Sequence, residues 1–242
     1  MTREYIKKYS PILKRDMEIL VFGDAGARVL FFPTRKAHFY DYENWGVMEA
    51  LQQKIESGQL QVYCLNSIDS ESFYNLALHP SERIVRHAEF EKYVIDELLP
   101  FTRKRNPDPT TILAGCSLGA YHAMNIAFRH PHFVDKVVGM SGRYDLTQAM
   151  ASFKDLFEGF LDDNIISNTP NKYIPKLDDP YYLAQLKRSE IILAIGEDDA
   201  FLEDNKFLSK SLIEKGISNS LHIWKEEAHN PSYWKQMVAL YL

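Results

Sequence analysis

Apolar residues gather in short runs bounded by turn formers: Met17 to Phe22, Ala27 to Pro33, Leu60 to Leu65, Thr110 to Cys116, Lys136 to Ser141, Ile191 to Gly196 and Leu221 to Lys225. Each is of strand length, and most are rich in Val, Ile and Phe, which suit a buried pleated surface. Gly23-Asp24-Ala25-Gly26 separates the first two runs and predicts a hairpin between them. Beyond it, strand patterns alternate with helical ones, which predicts βαβ units and a mainly parallel sheet with helices on both faces.

The predicted helices have readable ends. Pro80-Ser81-Glu82 opens a long one whose apolar positions follow a 3.6-residue period until Pro100 and Arg103-Lys104-Arg105 close it. Glu203 to Lys215 ends at Gly216, a suitable residue just past a helix end. Asn230-Pro231 opens the last, with an N-cap followed by proline in the first helical position. Residues 143–189 are less regular and longer than a simple crossover, so they read as a modest insertion over the carboxyl ends of the strands, where α/β proteins bind ligands.

Composition narrows the class. The 242 residues are 45% hydrophobic and 25% charged, which excludes a disordered or fibrous chain and suits one domain spanning 1–242. Twenty-eight Lys and Arg against 33 Asp and Glu give a net charge of −5, spread without long runs, so neither nucleic acid nor an anionic membrane is an expected partner. Cys64 and Cys116 end apolar runs and read as reduced core thiols. The N-terminus lacks a secretory apolar region and no apolar stretch approaches ~18 residues, so a cytoplasmic protein is expected. Oligomeric state leaves no readable pattern.

Gly115-Cys116-Ser117-Leu118-Gly119 fits G-x-S-x-G between a strand and a helix rich in small residues. A sharp strand-to-helix turn crowds the backbone, and glycines on either side relieve it while the serine hydroxyl is lifted clear. A serine in such a junction can also merely cap the helix. A nucleophilic serine needs a base, and the base an orienting carboxylate. Gly196-Glu197-Asp198-Asp199 places acids at one strand end, and Glu226-Glu227-Ala228-His229 places a histidine after the next strand, in the chain order serine, acid, histidine of α/β-hydrolases. Of the other histidines, His122, His130, His132 and His222 read as structural or solvent-facing, whereas His38, His79 and His87 are candidates for substrate contact. Phe153, Phe157, Phe160, Tyr181 and Tyr182 suit either an apolar pocket or core.

Four stretches, Ser10 to Glu18, Asp69 to Asn75, Gly115 to His122 and Ala228 to Trp234, resemble the esterase D-like and enterochelin-esterase-like branch of the α/β-hydrolases. The likeness extends over essentially the whole chain. It implies Ser117 as nucleophile, His229 as base and Asp199, three residues after the glycine, rather than Asp198 as the triad acid. It also implies an oxyanion hole from the Leu118 N–H and a second N–H in the loop after Phe32-Pro33. Arg35 is the expected donor and Thr34 the alternative, although this loop lacks the glycines common in the branch. The expected function is serine esterase on small or medium acyl esters. An acyltransferase using the same triad, or a catalytically weak binding protein with an altered loop, are the alternatives. No metal or organic cofactor is expected, because no H-E-x-x-H, cysteine cluster or phosphate-binding loop is present.

Overall fold

The computed structural model describes residues 1–242. Eight strands form one sheet: β1 (Arg3–Ser10), β2 (Arg15–Phe22), β3 (Ala27–Phe32), β4 (Leu60–Leu65), β5 (Thr111–Cys116), β6 (Lys136–Met140), β7 (Glu190–Gly196) and β8 (Ser220–Trp224). Their order is β1-β2-β4-β3-β5-β6-β7-β8. β1 with β2 and β2 with β4 run antiparallel; every other pairing is parallel. All residues of β4 and β5 are buried, as expected for strands covered on both faces.

The alternation along each strand divides the core in two. Leu30, Phe32, Leu113, Val137 and Leu193 point to one face, packed by the helix Leu118–Arg129, the helical run Pro80–Arg105 and the helix Leu202–Glu214. Val29, Phe31, Ile112, Ala114, Val138 and Ala194 point to the other, covered by Val47, Met48 and Leu51 and by Trp234, Met237 and Val238 of the helix Pro231–Tyr241. Helix Leu118–Arg129 is buried all round, so its small Ala120, Ala123 and Ala127 let it lie close to the sheet. None of the helices is long and apolar enough to cross a membrane.

The antiparallel hairpin at the N-terminus is present, but it joins β1 to β2. The predicted pairing of Met17–Phe22 with Ala27–Pro33 does not occur, because β4 lies between them and bonds to both. Gly23 and Gly26 instead permit a close crossing: a side chain on Gly26 would collide with the backbone of Gly58 and Gln59, just before β4. β1 escaped prediction because nearly all of it is exposed and its sequence, Arg-Glu-Tyr-Ile-Lys-Lys-Tyr-Ser, carries no apolar run.

β3, β5, β6 and β7 end close to one another: Phe32 lies beside Gly115, Cys116 beside Met140, and β7 runs two residues past its Ala194–Met140 pair to Gly196, which lies beside Trp224 of β8. The loops after these strands therefore meet along one edge of the sheet. The segment between β6 and β7 covers that edge through a third cluster, in which Leu146, Leu156, Phe157 and Ile165 pack on Phe73, Leu118 and Tyr121.

Candidate active site

Ser117 is the single residue between β5 and the helix Leu118–Arg129, with φ 55° and ψ −120°. A residue with a side chain adopts such angles only where its surroundings hold it there. The holding is visible: Ser117 N–H donates to the Met140 carbonyl at 2.8 Å, while a Cβ on Gly115 would strike Gly119, and one on Gly119 the Phe32 and Pro33 carbonyls. The serine side chain does not cap the helix.

A second tight approach delivers the histidine. Gly196 lies so near Glu226 and Glu227 that a side chain there would overlap their carbonyls. Glu226 and Ala228 take positive φ values of 62° and 50°, folding the loop back across the sheet edge. Ser141 Oγ donates to the Ala228 carbonyl at 2.9 Å and accepts from Trp234 Nε1 at 3.1 Å, tying this loop to the end of β6 and to the last helix.

The result brings three predicted residues together. His229 Nε2 lies 3.0 Å from Ser117 Oγ, and His229 Nδ1 lies 2.8 Å from Asp199 Oδ2. Asp199 is buried, and its other oxygen accepts from the Phe201 N–H at 2.9 Å; Asp198 is exposed and does not face the imidazole. An ionised carboxylate only accepts hydrogen bonds, which puts the ring proton on Nδ1 and leaves Nε2 to accept from the serine hydroxyl.

The N–H groups of Leu118, Thr34 and Arg35 donate to no acceptor in the chain, and all three residues line a cavity of about 360 Å³ that also contains Ser117 and His229. Lys36 N–H is bonded to Asp69 Oδ2 at 3.0 Å, and Asp69 Oδ1 is 3.1 Å from His122 Nε2, so the loop after β3 is anchored to the helix that begins at the serine. His122 is thus structural, as expected. Tyr74 lies beneath Arg35 and Lys36, whose cations sit 5.9 and 5.1 Å from its ring. Burial pushes the Tyr74 hydroxyl up, with Asp69 adding to the effect and Arg35 and Arg143 opposing it.

Other candidates lie elsewhere. His79 caps the helix at Pro80, His87 is sealed in the interior beside Tyr121, and His38 is 3.3 Å from Asn66; none of them lines the cavity. Of the five aromatic residues singled out above, Phe153 enters the cavity, Phe157 is core, Phe160 packs against His79, and Tyr181 and Tyr182 are exposed. Cys116 is fully buried, and burial pushes its thiol up, away from the thiolate a nucleophile requires. Sequence reasoning missed Arg143, Phe201 and Trp234 in the cavity wall and Ser141 behind the histidine loop. Arg143 follows the end of β6, the same edge that supplies the serine and the acid, and that position was its only signal.

The sheet order, the strained serine between β5 and its helix, and the loops converging on one edge define an α/β-hydrolase. Residues 40–234 match the family described as "Putative esterase". The chain belongs to this esterase family and is a carboxylic ester hydrolase. Among solved structures, it is similar to a ferulic acid esterase (TM-score 0.78, 17% identity, 98% of this chain and 95% of that one). It is also similar to an S-formylglutathione hydrolase from Agrobacterium tumefaciens (0.73, 15%, 98% and 91%). A third is FphF, a fluorophosphonate-binding serine hydrolase of Staphylococcus aureus (0.67, 16%, 98% and 95%). No curated protein matches the sequence significantly.

Proposed function

We propose that the chain hydrolyses small or medium acyl esters through an acyl-enzyme on Ser117. The observation that carries this reading is the unbroken hydrogen-bonded series from Ser117 Oγ through His229 to buried Asp199, at the wall of an accessible cavity. Ser117 Oγ attacks the ester carbonyl while His229 Nε2 takes its proton, and Asp199 holds the imidazole and offsets its positive charge. The oxyanion then forms beside the free N–H groups of Leu118 and Arg35, each contributing about 3–4 kcal/mol to the transition state by mutational precedent. His229 returns the proton to the departing alcohol, and water, deprotonated by the same imidazole, releases the acid.

The reading is tested with a fluorophosphonate probe and p-nitrophenyl esters of increasing length. Labelling at Ser117 and loss of roughly 10⁴-fold or more in kcat for Ser117→Ala are expected. Equal rates from the two proteins would reject Ser117 as nucleophile.

A further inference from the structure

The cavity beside Ser117 contains a cation that the ester chemistry above does not use. Arg143 is 5% exposed, yet its guanidinium makes no ion pair. Nε donates to the Asp145 carbonyl at 3.1 Å, and Nη2 donates to the Gln148 and Lys154 carbonyls at 2.6 and 2.8 Å. These are neutral acceptors. The nearby acids are committed elsewhere: Asp145 to Lys172 and Thr147, Asp155 to the Phe157 and Gly159 N–H groups, Asp204 to the Tyr144 and Asp145 N–H groups and Asn171. The two N–H bonds of Nη1 have no acceptor in the protein, and this nitrogen is not sealed from solvent.

A guanidinium withdrawn from water without a counter-charge is costly, and retaining one in a cavity wall makes sense when an anion completes it. The place is suitable. The Arg143 guanidinium carbon and the His229 ring lie 5.8 and 5.9 Å from the centre of the same Phe201 ring, so the charge and the general base share one chamber. Arg35 adds a second cation at the wall without an ion pair, and Glu227 is the one acid there. Arg143 also cannot be neutralised by losing a proton near neutral pH; Asp204, Asp145 and Asp155 act on it without a direct ion pair, so an anion at Nη1 would be its one direct counter-charge.

We propose that Arg143 is a specificity residue that selects esters bearing a free carboxylate, which its Nη1 binds while Ser117 meets the ester carbonyl. This rests on the Ser117 reading above, and its test is arranged to separate the two. Two matched pairs of substrates are compared by kcat/KM after subtraction of the uncatalysed rate. One pair, mono-p-nitrophenyl glutarate against p-nitrophenyl valerate, carries the charge on the acyl side. The other, p-acetoxybenzoate against its methyl ester, carries it on the alcohol side. In at least one pair the wild type should favour the anion, and Arg143→Met should reduce that ratio by about tenfold or more, as for loss of a charged hydrogen bond. The responding pair identifies which side of the ester faces Arg143.

A wild type that favours neither anion, while Ser117 is labelled by fluorophosphonate and the neutral esters turn over, overturns the inference and leaves the esterase reading standing. Should Arg143→Met fail to fold, competition on the wild type decides: inhibition by glutarate but not by glutaramide upholds the proposal, and equal inhibition overturns it. Should no ester turn over, the Ser117 reading fails. Calorimetric titration of glutarate into wild type and Arg143→Met then tests the anion site alone, and binding that is absent, or equal in the two, overturns it.

Discussion

The cavity has two walls built on different principles. On the side of Ser117 and His229, backbone touches backbone: strands end close together, and glycines at 115, 119 and 196 let main chains approach where any side chain would collide. On the side formed by residues 143–161, buried charged side chains hold loops by their backbone groups. Arg143 gathers carbonyls, and Arg83, 2% exposed, donates to the Leu156 carbonyl at 3.0 Å and pairs with Glu158 at 2.7 Å. Asp204 gathers N–H groups in the same manner. The first wall fixes reacting atoms with little tolerance. The second can be rebuilt in sequence and shape without moving the nucleophile, so it is where substrate choice can vary.

Substitutions that respect one principle and violate the other will break or sharpen this contrast. Gly119→Ala drives a methyl into the Phe32 and Pro33 carbonyls and displaces the loop carrying Arg35 N–H. A loss of about 10²-fold or more in kcat/KM is expected, the scale of one oxyanion donor, with a lower melting temperature. Activity near that of the wild type would show that the loop after β3 is not part of the chemistry.

Asp204 tests the other wall through pH. Burial raises its carboxyl to about 6, with Asp145 adding to the effect and hydrogen bonds from Tyr144, Asn171 and Asp145 opposing it. Because the folded value exceeds the ordinary 3.8, its contribution to stability is fully present below that pH and is lost as pH rises through about 6. The stability of the wild type relative to Asp204→Asn should therefore fall on the order of 2–3 kcal/mol between pH 4 and pH 7, as read from denaturant melts. A difference that does not change with pH would remove the burial argument. Least damaging is Gly159→Ala, where φ is +83° but no atom lies within 4 Å of an added Cβ. It should cost about 1–2 kcal/mol of stability for the left-handed conformation and change activity no more than about threefold.

The same division explains what could be read from residues alone. Local sterics write themselves into short motifs, so Gly115 to Gly119 announced the elbow, Asn230-Pro231 the last helix, and the apolar runs the buried strands. Side chains that act at a distance leave no such trace. Arg143 bonds to residues up to eleven positions away, and Asp204 reaches back some sixty positions to Tyr144 and Asp145, with no spacing that a helix or strand period would betray. The error over β2 and β3 was of a related kind: Gly23 to Gly26 has the composition of a hairpin turn, but its glycines answer to the crowded backbone before β4. In β1, pairing with β2 overrides a sequence that has no core to fill.

That first strand also guards the molecule in solution. β1 is hydrogen-bonded on one side only, so eight residues of backbone stand open along the rim of the sheet. Such a rim invites a strand from another chain, and charged side chains, lysine above all, are the usual deterrent. Arg3, Glu4, Lys7 and Lys8 supply them here. Without β1 the rim would be β2, whose Ile19, Leu20, Val21 and Phe22 are all buried in the intact sheet, and the chain would present a sticky apolar strand to its neighbours.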